Sequence, residues 1–161
     1  MDLKERSMDY KINKDQIEDV INKASYTLYK KHKNLIDEAA HEDMIVADVI
    51  APYLRSHIEG YSVSTGYNRE GPLDNRQTKT GLDEKPILPD IIIHKFGPNG
   101  PNIAAVEVKG WWNKEDREED ESSLRNLGAK HGYRYLYRLE LGKNKHELIP
   151  VYMSEEGQNL N

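Results

Sequence analysis

The chain has 161 residues, enough for one domain with its own core; 37% of them are hydrophobic and 32% are charged. It contains no cysteine, which excludes disulfides, thiolate zinc sites and cysteine nucleophiles. The formal net charge of -5 argues against a protein that binds nucleic acid through its overall charge. Because no apolar run is long enough to span a membrane, we expect a single cytoplasmic domain over residues 1–161.

Two amphipathic helices are predicted in the first third of the chain. Apolar residues recur at helical spacing over residues 15–33 and again over residues 41–57. Glu42 lies on the apolar stripe of the second helix, but it also lies in the first turn, where an acid stabilises a helix N-terminus. Pro52 falls inside this helix and should kink it or shift its hydrogen bonds. Residues 1–13 are polar and are predicted to be flexible.

Three strands are predicted in the middle of the chain. Polar and apolar residues alternate over residues 61–67, which is typical of a strand. Residues 68–88 form a long polar segment, and a loop of that length in a compact domain is usually functional or disordered. Residues 91–93 are apolar, as are all of residues 103–108 except Glu107, and the two segments flank the turn residues FGPNGPN, which predicts a β-hairpin.

The hairpin is expected to bring charged side chains together. Side chains alternate faces along a strand, so Glu107 and Lys109 point to the same side. A turn near Asn99 places Asp90 opposite this segment, to within one residue of register. Three apolar residues alternate with these charges and predict a core-facing side: Ala104, Val106 and Val108. The charges form either a cross-strand salt-bridge ladder or a site that binds something, because burying unpaired charges costs stability.

One more helix and two more strands are predicted after the hairpin. The helix covers residues 118–130, with Leu124 and Leu127 inward. Residues 133–141 alternate in strand fashion, with Tyr133 on the same face as the apolar residues that follow it. Residues 147–153 predict an edge strand because they contain Pro150, and residues 154–161 are predicted to be flexible.

This element order, α-α-β-β-β-α-β-(β), indicates the α/β class with an α+β mixed sheet flanked by helices. Trp111 and Trp112 lie between the hairpin and the last helix. They either stack on bases or cap the end of the sheet, and capping is the commoner role of such aromatic residues.

Pro89-Asp90 followed by Glu107-Val108-Lys109 resembles the PD-(D/E)xK signature of the restriction-endonuclease-like nuclease superfamily. The resemblance covers residues 42–141. It extends to small bacterial members that carry an E-x-x-I helix, an E-Y-N-R strand end, PDIIIH and an E-x-K strand. The matching residues are Glu42 with Ile45, then Tyr67-Asn68-Arg69, then residues 89–94, then residues 107–109. Gly66 replaces the Glu that this set tends to have, and Ser123 stands where a Lys is expected.

The resemblance implies a restriction-endonuclease-like core and a metal-dependent endonuclease that hydrolyses phosphodiester bonds, most often in DNA. It implies that Asp90, Glu107 and the Val108 carbonyl bind Mg²⁺ or Mn²⁺. Glu42 would hold a second ion or an outer water. Lys109 would orient or deprotonate the attacking water. The candidate nucleic-acid contacts are Asn68, Arg69 and Lys85.

Two other functions stay open. One is a non-catalytic nucleic-acid-binding or assembly module on the same scaffold, and the other is a different hydrolase, since a fold does not fix a substrate. Metal binding discriminates between the nuclease and the binding module, because only the nuclease needs the ion. Nucleases of this type often pair their sites, so a homodimer is among the assemblies that the resemblance implies.

Overall fold

The structure is a computed structural model that describes residues 12–66, 69–70, 77–78, 89–96 and 100–153. Its first third is helical: α1 (Lys14–Lys31), α2 (Lys33–Asp37), α3 (Glu42–Ile45), a π-helical turn (Val46–Ile50) and α4 (Ala51–His57). The rest comprises β1 (Ser62–Thr65), β2 (Arg69–Glu70), β3 (Gln77–Thr78), β4 (Ile91–His94), β5 (Asn102–Gly110), α5 (Arg117–His131), β6 (Tyr135–Leu141) and β7 (His146–Pro150). Each predicted helix and strand corresponds to one or more of these elements, with ends that differ by a few residues.

Helix α1 begins at a capping box. Asn13 Oδ1 accepts a hydrogen bond from the Gln16 N–H (2.8 Å), and Gln16 Oε1 accepts one from the Asn13 N–H (2.9 Å). Ile12, just before the cap, packs against the core. The flexibility predicted for residues 1–11 and 154–161 concerns residues outside the described ranges.

The second predicted helix continues past Pro52 by changing its hydrogen bonding. The π-helical turn joins α3 to α4, and the Ala51 N–H donates to the Val46 carbonyl, five residues back. Proline has no N–H, and its ring clashes with the carbonyl four residues earlier in a regular helix. The wider turn accommodates the proline without ending the helix, which confirms the shift in hydrogen bonding predicted at Pro52.

Five strands form one mixed sheet in the order β1-β4-β5-β6-β7. Strands β5 and β6 are parallel and are connected through α5, whereas the other neighbouring pairs are antiparallel. Strands β2 and β3 form a separate two-stranded ladder within the segment predicted to be a polar loop. The fold is therefore an α+β arrangement with a mixed sheet flanked by helices.

Helices cover both faces of the sheet. Helices α1 to α4 cover one face, where the strands contribute Ile91, Ile93, Ala104, Val106, Val108, Tyr137, Leu139 and Leu141 to the core. Helix α5 covers the other face, where Leu124 and Leu127 pack with Ile92, Ala105 and Leu136. These contacts confirm the core-facing side predicted for β5 and the inward orientation predicted for the two leucines of α5.

Helix α5 ends at Gly132, which adopts the left-handed conformation (φ +74°) typical of a helix C-cap. Strand β6 starts only at Tyr135, after this turn. Tyr133 is buried on the α5 side of the sheet, whereas Tyr137 is buried on the opposite side. The prediction that Tyr133 shares the face of Tyr137 was wrong, because it extended the strand alternation back into the turn.

Strand β7 lies at the edge of the sheet, as predicted from Pro150, which is its last residue and pairs with Tyr137. None of the helices in the described part of the chain combines the length and apolar character needed to cross a membrane.

Candidate functional site

The start of β4 and the end of β5 meet at one edge of the sheet because the two strands are antiparallel. Ile91 pairs with Val106, so Asp90, which precedes β4, lies next to Glu107. The Val108 N–H donates to Asp90 Oδ2 (2.7 Å), and the carboxyl groups of Asp90 and Glu107 share a hydrogen bond. The register predicted for the hairpin is confirmed to within one residue.

Burial raises the pKa of both of these acids. Burial raises the pKa of Glu107 to about 9, and the charge and the hydrogen bond of Asp90 act in the same direction. Burial also raises the pKa of Asp90, although the hydrogen bonds from Val108 and Glu107 oppose that shift. Glu107 therefore keeps its proton at neutral pH and donates it to Asp90.

Lys109 follows Glu107 by two residues and faces the same side of β5. Its Nζ lies 2.7 Å from Glu115 Oε2 and 3.7 Å from Asp120 Oδ1, and its side chain is 12% exposed. Burial acts to lower the pKa of Lys109, but its hydrogen bond to Glu115 and the charge of Asp120 outweigh it and raise the pKa. The two carboxyl groups and the ammonium predicted from the hairpin are thus joined by two further acids.

Asp120 is absent from the residues predicted from the sequence. It lies in α5, four residues before Leu124 and seven before Leu127, both of which are buried. Asp120 Oδ2 is buried and has no hydrogen-bond partner among the described residues. The helical spacing to the two leucines was a signal that could have identified Asp120 as an inward acid.

Asp43 and Glu115 also act on the site and were not predicted. The charge of Asp43 contributes to the raised pKa of Asp90, after the larger effect of burial. Glu115 lies in the turn before α5 and binds Lys109 directly. Both side chains are largely exposed, and no periodic pattern in the sequence distinguishes them from ordinary surface acids.

Glu42 accepts hydrogen bonds at the end of β5. Its Oε2 accepts from the Gly110 N–H (3.0 Å) and from Asn113 Nδ2 (2.9 Å), and its Oε1 also accepts from Asn113 Nδ2 (3.1 Å). Asn113 Oδ1 in turn accepts from the Glu115 N–H (2.9 Å). Glu42 is therefore linked to the turn that carries Glu115. Its predicted role at a second metal ion stays a prediction.

Ion pairs fix the first half of α5 on β6. Arg117 Nε lies 3.0 Å from Glu140 Oε2, and Arg138 Nε lies 3.2 Å from Glu121 Oε1. Arg138 Nη1 is also 2.7 Å from Glu140 Oε2. The first two pairs join α5 to β6 through Arg117 and Glu121, which lie on either side of Asp120 in sequence, so they restrict the distance of Asp120 from Lys109.

The other predicted site residues are only partly described. Val108 contacts Asp90 through its amide, and a role of its carbonyl in metal binding stays a prediction. Arg69 pairs with Thr78 in the small ladder, and its side chain is outside the described part of the structure. Asn68 and Lys85 lie outside the described residues.

Two positions depart from the resemblance. Gly66 has a φ of +59°, a left-handed conformation that suits glycine, and its N–H donates to the Asp90 carbonyl (3.2 Å). This position therefore contributes a backbone hydrogen bond to Asp90 but no acidic side chain. Ser123 is exposed on α5, one residue before the buried Leu124.

The tryptophans close one end of the core. Trp111 and Trp112 are partly buried against it, and Trp111 Nε1–H donates to the Ile36 carbonyl (3.1 Å). Their rings meet edge to face at 5.8 Å. This packing agrees with the capping role favoured from the sequence.

Asp90 and Glu107 are the residues of the site that could hold a divalent cation. Across the described ranges, no group of three or more His, Asp or Glu side chains is placed to hold a metal ion. Asp90 and Glu107 provide two adjacent carboxyl groups, and Mg²⁺ commonly takes one or two protein carboxylates with water and phosphate oxygens as its other ligands. The two acids therefore suit an ion bound jointly by protein, water and substrate.

Comparisons of this chain with protein-family models, with curated proteins and with solved structures found no match. A function for this site must therefore be argued from its own geometry and chemistry.

Proposed function

We propose that this protein is a metal-dependent nuclease with a restriction-endonuclease-like core, and that it hydrolyses phosphodiester bonds in DNA. The observation that carries the proposal is the adjacent pair of Asp90 and Glu107 at the sheet edge, with Lys109 two residues further along the same strand. Two carboxyl groups forced together need either a shared proton or a cation between them. An ammonium beside such a pair is suited to an anionic substrate.

Each of these residues has a definite part in the proposed reaction. Asp90 and Glu107 would hold Mg²⁺ or Mn²⁺, with the Val108 carbonyl as a further ligand, after Glu107 releases its proton. The cation would supply stabilisation of the charge that develops on the phosphate oxygens. The Val108 N–H fixes Asp90 Oδ2 and so orients this carboxylate.

Lys109 would act on the water and the phosphate. Its Nζ can hold the attacking water in line with phosphorus and place a positive charge beside the phosphate oxygens. Hydrolysis forms a bond from the water oxygen to phosphorus and breaks one bond from phosphorus to a sugar oxygen. The leaving oxygen takes up a proton, and one proton passes to solvent.

The test is a cleavage assay on single-stranded DNA, double-stranded DNA and RNA, each with Mg²⁺, Mn²⁺ or EDTA. The parent should cut DNA with either metal and not in EDTA. Lys109→Ala should lose at least 100-fold of the rate, since positioning of the water and stabilisation of the charge on the phosphate each contribute about that much. Lys114→Ala, which removes an exposed lysine five residues away, is the matched control and should cut at the parent rate.

The alternative function is a non-catalytic nucleic-acid-binding module. The observation that favours it is Gly66, because the position next to Asp90 lacks the acid that the resemblance expects. Such a module would bind DNA equally well in EDTA and would leave it uncut. Metal-dependent cleavage by the parent would rule this alternative out.

A further inference from the structure

Lys109 lies between two acids that differ in their surroundings. Glu115 is the nearer, at 2.7 Å, but its side chain is 70% exposed and belongs to the turn before α5. Asp120 is further away, at 3.7 Å, but its side chain is only 15% exposed and belongs to the helix itself. An exposed ion pair contributes little stability and exchanges readily with other anions, whereas a buried acid on a fixed helix stays in place.

The burial of Asp120 is costly for the fold. Asp120 Oδ2 is buried without a hydrogen-bond partner among the described residues, and a buried oxygen left in this way lowers stability. Burial also raises the pKa of Asp120, although Lys109 and Arg117 oppose the shift. Stabilisation of the helix N-terminus does not require Asp120, because Glu118 and Glu119 occupy the same first turn and are exposed.

We propose that Asp120 is a positioning residue that holds Lys109 Nζ at the reaction site when a substrate phosphate displaces Glu115. This inference rests on the proposed nuclease function, and it concerns the residue through which Lys109 is held. The Asp120 side chain extends from α5 toward Lys109, and the ion pairs between α5 and β6 hold the helix in that position.

Glu115 suits the role of an exchangeable partner. It presents a carboxylate to the ammonium of Lys109, and a phosphodiester presents an anionic oxygen with the same charge and the same hydrogen-bonding capacity. A substrate phosphate at Lys109 would therefore compete with Glu115. Asp120 would keep the second contact to the ammonium during this exchange.

The kinetic test uses three variants of the full chain in the Mn²⁺ cleavage assay. Asp120→Asn should lower kcat about 10- to 100-fold with KM changed less than about threefold, because a misplaced ammonium impairs the reaction more than binding. Glu115→Gln should keep kcat within about twofold and lower KM, because the competitor for the phosphate is gone. Glu119→Gln removes an exposed acid next to Asp120 and should match the parent in both constants.

A second readout needs no metal and no activity. We would measure the ¹³Cε order parameter of the Lys109 side chain by NMR in EDTA, with the resonance assigned through Lys109→Arg. The side chain should be ordered in Glu115→Gln, where Asp120 alone holds it, but mobile when Asp120→Asn is added to Glu115→Gln. The urea midpoint of Asp120→Asn should be no lower than that of Glu119→Gln, whereas an acid that merely stabilised the fold would lower it.

The outcomes separate this inference from the proposed function. If the parent cuts DNA and Asp120→Asn keeps the parent kcat, or if adding Asp120→Asn to Glu115→Gln leaves Lys109 as ordered as before, the positioning role is wrong and the nuclease stands. If the parent cuts nothing under any condition, the nuclease is wrong and the positioning role is overturned with it. A conservative Asp120→Glu variant that recovers part of the lost kcat would support the role of the carboxylate.

Discussion

Glu107 is a buried acid that lies next to a second carboxyl group, that of Asp90. Burial raises its pKa to about 9, and the neighbouring carboxyl group of Asp90 adds to the effect. The proton that Glu107 carries at neutral pH removes most of the repulsion between the two acids. In the proposed nuclease, a cation would take the place of this proton.

This environment predicts that the metal-free protein loses stability as the pH rises. Because the pKa of Glu107 is higher in the folded chain than in the unfolded chain, the folded state binds more protons between about pH 4.5 and about pH 9. Urea unfolding in EDTA should show a loss of about 2–4 kcal/mol between pH 5 and pH 8. Glu107→Gln should abolish most of this dependence. An equally steep dependence in Glu107→Gln would contradict the assignment of the proton.

The sequence located three residues of this site and missed the others for a physical reason. Strand alternation and hairpin register are local rules, and they placed Asp90, Glu107 and Lys109 together. Asp120 joins the site only because α5 packs back on β5 and β6, a tertiary contact that alternation within one strand does not predict. Glu115 reaches Lys109 from an irregular turn, for which no spacing rule exists.

At the scale of elements, the helix that begins at Glu42 is tied to the end of β5. Glu42 accepts hydrogen bonds from the Gly110 N–H and from Asn113, so one carboxylate connects the helix, the strand end and the following turn. This contact orders the segment that leads to Glu115 and α5. Glu42 lies in the first turn of the helix, where an acid stabilises the N-terminus, and its carboxylate also faces the end of the sheet. Both roles considered for Glu42 from the sequence therefore fit its position.

We predict that Glu42→Ala destabilises the metal-free protein by about 1–3 kcal/mol, because it leaves the Gly110 N–H without its acceptor. Asp43→Ala removes the adjacent, largely exposed acid of the same helical turn and should change stability by less than about 0.5 kcal/mol. The measurement is urea unfolding of both variants in EDTA. Equal stability of the two variants would show that Glu42 does not hold the strand end.

Element positions followed from periodicity, whereas irregular features needed the structure. The helical spacing of the apolar residues predicted α1 and α5 closely, and Pro52 predicted the irregular hydrogen bonding between α3 and α4. The exact form of that irregularity, a π-helical turn, depends on packing that a single proline does not specify. The prediction for Tyr133 was also wrong because of an irregular feature: the turn at Gly132 interrupts the alternation that the sequence suggests.

For the whole molecule, the proposed function raises the question of how an acidic protein would act on a polyanion. The chain has a net charge of -5, and the acids of the site lie around Lys109 at one corner of the sheet. Long-range electrostatic attraction between the protein and DNA would therefore be weak. A divalent cation between Asp90 and Glu107 would reverse the local charge that a phosphate meets, so metal binding and substrate binding should depend on each other.

The proposed metal site at Asp90 and Glu107 is tested most directly by calorimetric titration of the protein in EDTA-free buffer with Mn²⁺ at pH 7, in two buffers of different ionisation enthalpy. We expect binding with release of about one proton, because the cation would displace the proton held by Glu107. Binding should be lost in Asp90→Asn and kept in Asp19→Asn, which changes an exposed acid on α1. No binding by the parent, or equal binding by Asp90→Asn, would contradict a metal site at Asp90 and Glu107.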